Sequence, residues 1–393
     1  MIRHPVLLLA AFVALTAALR KFSDHPALGR IFRLLPVPFW CYFLPMVGAA
    51  MGLIPQANPL YGFLSRHLLP ACLVLLLLGA DLPAIARMGP LALAMMLAGS
   101  AGTVIGGLAS FFLYKRWLPE GAWGAVGALA GSWTGGSANL LAVKEALQVP
   151  DTLIGPIILV DAAVAYTWMA LLIGSSSLQD RWERLVGPAA GMPGDARGAT
   201  SDANASLTPR PPRGLVPIVL LAVLISLMAQ WAAQRLPAFG PAMSSSTWAI
   251  LLVTTAALAL SLTPLRRLAE TGGSNVGTFL LYVLLCSIGA RGNLAAVGQA
   301  PVFLLLGVTW ILIHGAVLLL AGWLCRAPLG LIATASQANI GGPISAPIVG
   351  ATFSKPLAGV GLLMAILGNV LGTYIGLLTA LAARPLASAS GFG

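Results

Sequence analysis

Twelve apolar segments, most of them close to 20 residues long, constrain the fold of this 393-residue chain more than any other feature. An α-helix needs about 20 consecutive apolar residues to cross the hydrocarbon core of a bilayer. Only 8% of the residues are charged and 58% are hydrophobic, whereas a soluble domain carries about 25% charged residues. So few polar side chains cannot cover a large soluble core. The sequence therefore predicts an all-α polytopic membrane protein.

A polar stretch at 177–213 divides the segments into two sets of six. It is rich in Gly, Pro, Ala and Ser without apolar periodicity, which is typical of a poorly ordered linker. We expect an N-terminal membrane repeat at 1–176, a cytoplasmic linker at 177–213 and a C-terminal membrane repeat at 214–393. The segments lie at 5–19, 37–55, 60–82, 89–114, 121–147, 152–176, 214–234, 246–264, 274–294, 300–325, 330–353 and 358–383.

The first segment has two interpretations. Residues 5–19 are short enough to be the apolar core of a signal peptide. The following residues, ALRKFSD, form a weak cleavage site, and further membrane segments come after them. A retained helix is therefore the prediction.

Charge and motif content exclude several function classes. The net charge of +11 comes from Lys and Arg spread between apolar runs, without a basic cluster that holds aromatic residues, so no nucleic-acid partner is expected. The chain has no HExxH, P-loop or GxSxG motif, and Asp161 is the one clearly deep carboxylate, so no enzyme is expected. The four cysteines lack metal-ligand spacing and predict reduced thiols in apolar segments. They are Cys41, Cys72, Cys286 and Cys325.

Two pairs of matched stretches relate the two halves. LLLLGADLPAIARMG at 75–89 resembles LLCSIGARGNLAAVG at 284–298, and GSWTGGSANLL at 131–141 resembles ASQANIGGPIS at 335–345. The pairs occur in the same order, and each Gly/Ser/Asn stretch precedes the last apolar segment of its half. Matched segments of this kind are typical of secondary transporters built from inverted repeats. We therefore expect two inverted structural repeats.

The distribution of positive charge bears on how many segments cross the membrane. Basic residues favour the cytoplasmic side, which places the loop after segment 1 and the arginine-containing linker inside. Six full crossings in the first half would put the linker outside, whereas a segment 121–147 that breaks and re-enters puts it inside. The prediction is therefore about ten crossings plus two broken or re-entrant segments, and the alternative is twelve crossings with two unwound helices. Lys115 and Arg116 fit the first arrangement poorly, and Lys144 and Glu145 are interpreted as interface residues.

Paired glycines mark the points where the two matched stretches should break, because Gly weakens a helix by about 1 kcal/mol relative to Ala. Non-helical backbone at bilayer depth is tolerated only inside protein or beside water. Gly135, Gly136, Gly341 and Gly342 therefore predict two breaks at a cavity. Broken helix ends offer N–H groups to anions and carbonyls to cations, and close helix packing is the alternative. The candidate side-chain ligands are Ser132, Thr134, Ser137, Asn139, Ser336, Gln337, Asn339 and Ser345.

Asp161 is the sharpest single candidate, because it lies inside segment 152–176, remote from both ends. An isolated carboxylate at that depth normally faces a partner or water. We interpret it as a coupling-ion ligand or a proton acceptor, with a structural hydrogen bond as the alternative. Three weaker candidates follow. Asp81 and Arg291 either mark the water interface or pair with each other, and Arg291 has the further alternative of receiving a substrate carboxylate. His314 is a core residue or a proton relay.

Four stretches resemble the YjcL-like family of bacterial membrane proteins: LLPACLVLLLLGADL, GSWTGGSANLLAVKEAL, WILIHGAVLLL and ASQANIGGPISAPIVGATF. The resemblance spans nearly the whole chain, but it implies no substrate. The arrangement is also similar, more distantly, to sodium-coupled glutamate and citrate carriers and to bile-acid/sodium symporters. The first two have inverted halves, each with a re-entrant Gly-Gly segment, which corresponds here to Gly135–Gly136 and Gly341–Gly342. Their Gly-Gly-x-Gly form is absent here, which bears on substrate specificity more than on architecture.

Together these observations predict a secondary active transporter, multi-pass in the bacterial inner membrane. Alternating access around two broken helices would move a small polar solute or organic anion, coupled to sodium or protons. Asn139, Asn339 and Asp161 are the candidate ligands for sodium, and no other metal or cofactor is expected. The alternatives are a monovalent cation/proton antiporter that exchanges ions at Asp161 and a non-transporting scaffold or sensor. The lipid bilayer is the expected surrounding, and a homodimer is a further expectation.

Overall fold

The computed structural model of the chain describes residues 3–25, 31–32, 35–187, 215–238, 243–269, 272–293 and 300–388. Within these ranges every regular element is a helix. Eight of the described helices are long and apolar enough to cross a membrane, and two further apolar helices are shorter. The predicted all-α membrane class is therefore confirmed, while the number of crossings stays a prediction.

The helices of the first half follow the predicted segments in order. They are α1 (Pro5–Ser23), α2 (Val37–Ala50), α3 (Pro59–Leu77, with a π-helical turn), α4 (Leu82–Ala86), α5 (Pro90–Tyr114), α6 (Ala122–Gly135), α7 (Ser137–Ala146), α8 (Asp151–Gly174) and α9 (Gln179–Val186).

The helices of the second half also follow the predicted segments in order. They are α10 (Leu215–Ala233), α11 (Ser245–Ser261), α12 (Arg266–Ala269), α13 (Gly273–Arg291), α14 (Ala300–Leu324), α15 (Leu329–Ile340), α16 (Gly342–Phe353) and α17 (Lys355–Ser388).

Proline and polar caps explain where several helices begin. Proline suits the first turn because its fixed φ is helical and its missing N–H has no partner there. Helix α3 begins at Pro59 after Asn58, whose side-chain oxygen accepts a hydrogen bond from the Leu60 backbone N–H at 3.0 Å. Asp81 caps α4 in the same way, accepting from the Ala84 N–H at 3.0 Å.

The segment predicted as linker begins with a helix. Helix α9 continues from α8 through a 3₁₀ turn, so residues up to Val186 are helical where 177–213 was expected to be polar linker. The reason is its amphipathic sequence, QDRWERLV, which suits a helix lying in a membrane interface. The indole N–H of Trp182 donates to the carbonyl of Ala327 at 2.9 Å and fixes α9 against the start of α15. Residues 188–214 lie outside the described residues.

All four cysteines are free thiols, as predicted. Cys41, Cys72 and Cys286 are buried. Cys325 differs from the expectation of a thiol in the apolar interior, because it follows the last residue of α14 and is exposed.

Helices α6 and α7 fold back on each other as a helical hairpin, named hairpin 1 here. A methyl group on Gly124 would lie 2.9 Å from Val149 Cγ2, and one on Gly131 would lie 3.2 Å from Val143 Cγ2. A continuous helix would separate these pairs by about 37 Å and about 18 Å, at 1.5 Å per residue. The chain therefore reverses at Gly136, and the segment enters and leaves the bundle at the same end.

Helices α15 and α16 form a second hairpin, named hairpin 2. A methyl group on Gly330 would lie 2.7 Å from Phe353 Cβ, although a continuous helix would place these residues about 34 Å apart. The reversal occurs at Gly341 and Gly342, between the two helices. Both segments expected to be broken are thus hairpins, which contradicts the alternative of two unwound helices that cross.

The two hairpins open toward opposite ends of the bundle. Helix α5 leads into hairpin 1, helix α14 leads into hairpin 2, and these two helices pack antiparallel. A methyl group on Gly99 would lie 3.4 Å from Leu318, whereas Tyr114 at the other end of α5 has its hydroxyl 3.0 Å from Thr309 Oγ1. The helices α5 and α14 therefore end at opposite ends of the bundle. The bases of the two hairpins consequently lie at opposite ends, and their tips point toward each other. An inverted relation between the complete halves stays a prediction.

Helix packing divides the described helices into two groups. The members of each group pack mainly with one another. The first group consists of α1, α2, α3, α10, α11 and α13. The second group consists of α5, α8, α14, α17 and the two hairpins. The central cavity described below lies where the two groups meet. This division matters because the candidate site receives side chains from both groups.

Two ion pairs agree with the orientation in which five helices of the first half cross. In that orientation Asp81 and Arg266 are both cytoplasmic, and Asp81 Oδ1 lies 2.6 Å from Arg266 Nη1. Asp151 and Arg291 both fall on the opposite side, and Asp151 Oδ2 lies 3.2 Å from Arg291 Nη1. The partners in each pair are thus on the same side of the bundle.

Lys115, which fitted this orientation poorly as a topology signal, has a structural role. Its ammonium group donates to the carbonyl of Leu386 at 2.8 Å, in the last turn of α17. Cations at a helix C-terminus are stabilised by the helix dipole. The same ammonium lies 4.9 Å from the centre of the Phe112 ring.

Candidate functional site

A cavity of about 240 Å³ lies between the tips of the two hairpins. Helices α8 and α13 and the start of α2 complete its wall. The predicted site residues that line it are Ser132, Gly136, Ser137, Asp161, Gln337, Gly341, Gly342 and Ser345. Those that are not part of its lining are Thr134, Gly135, Asn139, Ser336 and Asn339. The two glycine-containing stretches are therefore brought together at one hollow.

The tip of hairpin 1 depends on Gly136. Its φ of +79° and ψ of −178° belong to a region of backbone space that is essentially restricted to glycine. The Gly136 N–H donates to Ser132 O at 2.6 Å and ends α6, while the Gly136 carbonyl accepts from Asn139 N–H at 3.0 Å and begins α7. Ser137, the first residue of α7, consequently faces the cavity beside the reversal.

The tip of hairpin 2 is braced by a side-chain hydrogen bond. Gln337 Nε2 on α15 donates to Ser345 Oγ on α16 at 2.9 Å and spans the reversal. A side chain at Gly341 would collide with both of these groups, and Gly342 has a φ of +73°. The side-chain amide oxygen of Gln337, Oε1, has no hydrogen-bond partner among the described residues, although the side chain is buried.

Asp161 lies in the wall of the cavity, near the middle of α8. It is about 15 Å along the helix from Asp151, which is half of the roughly 30 Å hydrocarbon thickness. Its carboxylate is half-buried and accepts a hydrogen bond from Ser132 Oγ on hairpin 1 at 2.9 Å. None of the ion pairs among the described residues includes Asp161. The carboxylate therefore faces the hollow without a cationic partner in the described structure.

Aromatic and small apolar residues make up most of the remaining wall. Phe39 comes from α2, Tyr166 from α8 and Tyr282 from α13. Ala162 and Ala165 flank Asp161 and leave room beside it. The sequence left Tyr166 open as a cavity-lining or a packing residue, and it gave no signal for the other two aromatic residues.

Asn139 and Asn339 do not line the cavity, because the side chain of each is hydrogen-bonded between packed helices. The Asn139 amide donates to Gly135 O at 2.6 Å and to Asn369 O at 3.2 Å, while its oxygen accepts from Thr373 Oγ1 at 2.5 Å. Its contacts fix hairpin 1 to α17. These bonds favour the packing alternative for Asn139 over the role of a sodium ligand.

Asn339 repeats the same arrangement on hairpin 2. Its amide donates to Ala335 O at 3.0 Å and to Met96 O at 3.3 Å, while its oxygen accepts from Ser100 Oγ at 2.9 Å. Each asparagine thus joins the carbonyl four residues before it to a carbonyl and a hydroxyl one turn apart on a neighbouring helix. For Asn339 that helix is α5.

His314 belongs to a closed chain of hydrogen bonds on the far side of hairpin 2. Its Nε2 lies 3.0 Å from Ser336 Oγ, which accepts from the Trp168 indole N–H at 2.8 Å. Its Nδ1 lies 3.3 Å from Thr103 Oγ1, and that hydroxyl donates to Gly99 O at 3.2 Å. A neutral ring with its hydrogen on Nδ1 satisfies every group in this chain. The geometry favours the core interpretation of His314 over a proton relay.

Thr134 and Gly135 also face α17 rather than the hollow. A side chain at Gly368 would collide with the Thr134 carbonyl, and one at Gly135 would meet the Gly368 carbonyl. These close backbone approaches explain the glycines by packing. Among the predicted residues of hairpin 1, Gly136 is therefore the one on which the chain reversal depends.

Comparison with known proteins agrees with this architecture. The family described as "Protein of unknown function (DUF819)" matches residues 10–386. The chain belongs to the DUF819 family. It is 26% identical over 345 residues to "Uncharacterized membrane protein YjcL" of Bacillus subtilis (strain 168), which covers 84% of this chain and 86% of the relative. The YjcL-like resemblance is confirmed, and neither description names a substrate.

Asp81 and Arg291 do not pair with each other in this DUF819 protein. Asp81 pairs with Arg266, and Arg291 pairs with Asp151. The alternative of a direct pair is contradicted because Asp81 precedes α5 and Arg291 precedes α14, and these antiparallel helices begin at opposite ends of the bundle.

A charged cluster at the base of hairpin 1 was not identified from the sequence. Lys144 Nζ lies 2.9 Å from Asp151 Oδ1 and 3.7 Å from Glu145 Oε2. Arg291 reaches the same carboxylate and donates to Ser65 Oγ at 3.1 Å. The side chain of Lys144 is only 6% exposed, so protein encloses it at the end of the bundle where Asp151 and Arg291 lie, and its assignment to the interface stays a prediction. In this DUF819 protein the cluster connects the two helix groups.

Proposed function

We propose that this protein is a secondary active transporter of the bacterial cell membrane that moves a small polar solute, and that it is not an enzyme. The observation that carries the proposal is that two oppositely directed hairpin tips and the unpaired carboxylate of Asp161 line one cavity. Substrate and ion sites of secondary transporters lie near the bilayer midplane, where discontinuous helices from two halves meet. Neither the transport function nor the proposal that the protein is not an enzyme depends on the predicted homodimer.

Asp161 is the proposed coupling group. A carboxylate inside the membrane is costly unless it faces water or a partner, and such residues commonly mark ion or proton pathways. Sodium binding or protonation would neutralise it when the cavity closes. The bond from Ser132 holds one of its oxygens toward hairpin 1, so a change in the charge of Asp161 would act on that hairpin.

The packing around the cavity indicates how access could alternate. Pro36 and Pro38 at the start of α2 line the cavity, and the orientation predicted from the sequence places this end in the cytoplasm. On the opposite side, Asp151 on α8 and Arg291 on α13 join the two helix groups. We propose that opening the outer side separates this pair as one group moves against the other.

Labelling of the hairpin 1 tip tests the proposal without knowledge of the solute. The variant Ser137→Cys is prepared in a Cys325→Ser background, because the other three cysteines are buried. A membrane-impermeant thiol reagent is applied to vesicles of each orientation. We expect labelling from both sides, and we expect Asp161→Asn to change the ratio between the sides.

The control variant and the contrary result are well defined. Ala128→Cys, fully buried in α6, should label from neither side. Labelling of Ser137→Cys from one side only, unchanged by Asp161→Asn, would favour a scaffold or sensor over a transporter.

A monovalent cation/proton antiporter is the second candidate, and it is favoured by Asp161 as the one carboxylate among the described residues that line the cavity. Such an exchanger needs one group that binds either ion, which Asp161 supplies. Proteoliposomes with a trapped pH-sensitive dye distinguish the two functions. Proton flux on addition of sodium alone, abolished by Asp161→Asn and kept in Asp180→Asn, supports the antiporter. Absence of flux with sodium alone would count against the antiporter.

A further inference from the structure

The charge of the central cavity bears on the class of solute, and the inference rests on the transport function proposed above. Asp161 is the one charged side chain among the described residues that line the cavity. In surroundings poor in water, a carboxylate attracts cations and repels anions much more strongly than it does in bulk water. An organic anion, one of the solutes expected from the sequence, would meet like charge there, and no Lys or Arg among the described lining residues would receive it.

Aromatic side chains from three helices share the cavity with this carboxylate. Phe39, Tyr166 and Tyr282 approach from α2, α8 and α13. The faces of aromatic rings attract cationic groups, and several rings around one site are the usual means of binding organic ammonium groups. A bare metal ion would instead need a shell of oxygen ligands, whereas most of this wall is apolar.

The dimensions and the remaining polar group limit the solute further. The cavity of about 240 Å³ is smaller than the roughly 300–1,000 Å³ of pockets that hold drug-sized ligands. Gln337 lines the cavity, and its side-chain amide oxygen has no hydrogen-bond donor among the described residues. An N–H group of a bound ligand that reached the hairpin 2 tip would supply that donor, which would relieve the cost of an unpaired buried acceptor.

We propose that the cavity binds a small organic ammonium compound, with Asp161 as its counter-ion and the three aromatic residues as its walls. The two helix groups each contribute to this site, since Phe39 and Tyr282 come from one and Asp161 and Tyr166 from the other. Binding would therefore draw the groups together around the cation.

Calorimetric titration of the purified full-length protein in detergent tests the proposal. The probes are tetramethylammonium chloride and methylammonium chloride, compared with sodium chloride and sodium succinate at equal ionic strength. We expect saturable binding of an ammonium salt, weakened about tenfold or more by Asp161→Asn and retained in the exposed-site control Asp180→Asn. Binding of methylammonium in preference to tetramethylammonium would support the additional contact to Gln337.

A second pair of variants keeps the test decisive if Asp161→Asn does not fold. Tyr166→Phe keeps an aromatic face and should bind like the wild type, whereas Tyr166→Leu removes it and should bind several-fold more weakly. Equal affinities in these two variants would overturn the aromatic part of the proposal.

The contrary outcomes separate this inference from the transport function. Absence of ammonium binding, tighter binding of succinate, or sodium binding that ammonium does not displace would each overturn the inference. If Ser137→Cys still labels from both sides in that case, the transporter stands and only its solute class is wrong.

Discussion

Hairpin 1 and hairpin 2 use the same contact near their tips and different contacts at their bases. Near the tips, Asn139 and Asn339 make matching sets of bonds to α17 and α5. At its base, hairpin 1 is joined through Lys144 to Asp151 and Arg291, and so to the other helix group. No ion pair among the described residues holds the base of hairpin 2.

The difference assigns separate tasks to the two parts of each hairpin. The asparagines fix the hairpins to their own group of helices, so that the tips present a defined surface to the cavity. The charged cluster ties hairpin 1 across the two groups, whereas the base of hairpin 2 contacts α9 through Trp182. Among the described residues hairpin 2 therefore has no ion pair to the other helix group, and we expect it to move more easily than hairpin 1.

The largest effect is expected from Asp151→Asn, which breaks the tie at the base of hairpin 1. The substitution leaves Lys144 and Arg291 without their carboxylate, and removal of one partner from a buried ion pair costs about 3 kcal/mol or more. Unfolding in detergent measures the loss. Asp180→Asn, at an exposed position of α9, is the control and should change little. A loss as small as the control's would mean that the cluster does not hold the hairpin.

Asn139→Ala and Asn339→Ala should each lower the free energy of unfolding by about 2 kcal/mol, because each removes the hydrogen bonds that join a hairpin to its neighbouring helix and leaves a buried hydroxyl without its acceptor. Equal losses would sharpen the parallel between the two hairpins. The matched control is Asn369→Ala, since Asn369 serves this contact through its backbone carbonyl. If Asn139→Ala instead kept full stability and lost ammonium binding, the asparagine would be a ligand and not an anchor.

Gly136→Ala tests the tip of hairpin 1 alone. Its backbone conformation disfavours any side chain, so a loss of about 1 kcal/mol is expected. Thermal unfolding compares it with Gly174→Ala, where the backbone is helical and a methyl group has nothing within 4 Å. No difference between the two variants would show that the reversal tolerates ordinary backbone.

The smallest effect is expected at the ion pair of Asp81 with Arg266. Their side chains are 32% and 28% exposed, and exposed pairs contribute about 1 kcal/mol or less. Asp81→Asn keeps the helix cap of α4, so only the ion pair is lost. Unfolding should show a small loss at low salt that becomes smaller at high salt, because salt screens an exposed pair. A loss equal to that of Asp151→Asn would contradict the distinction drawn between the two pairs.

Local features of the sequence predicted most of the helices and both helix breaks. The length and apolarity of each segment are properties of consecutive residues, as are the glycine pairs at Gly135–Gly136 and Gly341–Gly342. Two segment ends were placed five residues too far along, at 55 for α2 and 82 for α3, because apolar residues continue past the helices into loops. Whether a broken segment crosses or turns back depends on its neighbours, so composition left both alternatives open.

The contacts of the site depend on residues that are far apart in the chain. Asn139 meets Thr373 across 234 positions, and Asn339 meets Ser100 across 239. Ser and Thr are common in apolar helices, so nothing in the sequence marks these two as partners. Asp161, in contrast, stands out by its depth alone, and the structure places it in the cavity wall.

The central claim, that the hairpins enter from opposite sides, is tested most directly by the side from which their bases are labelled. Single cysteines at Glu120 and Gln148 flank hairpin 1, whereas the native exposed Cys325 and a cysteine at Lys355 flank hairpin 2. All but the Cys325 sample carry Cys325→Ser. With an impermeant thiol reagent, positions 120 and 148 should label from one side, and positions 325 and 355 from the other. Labelling of the two positions of either pair from opposite sides would contradict the account.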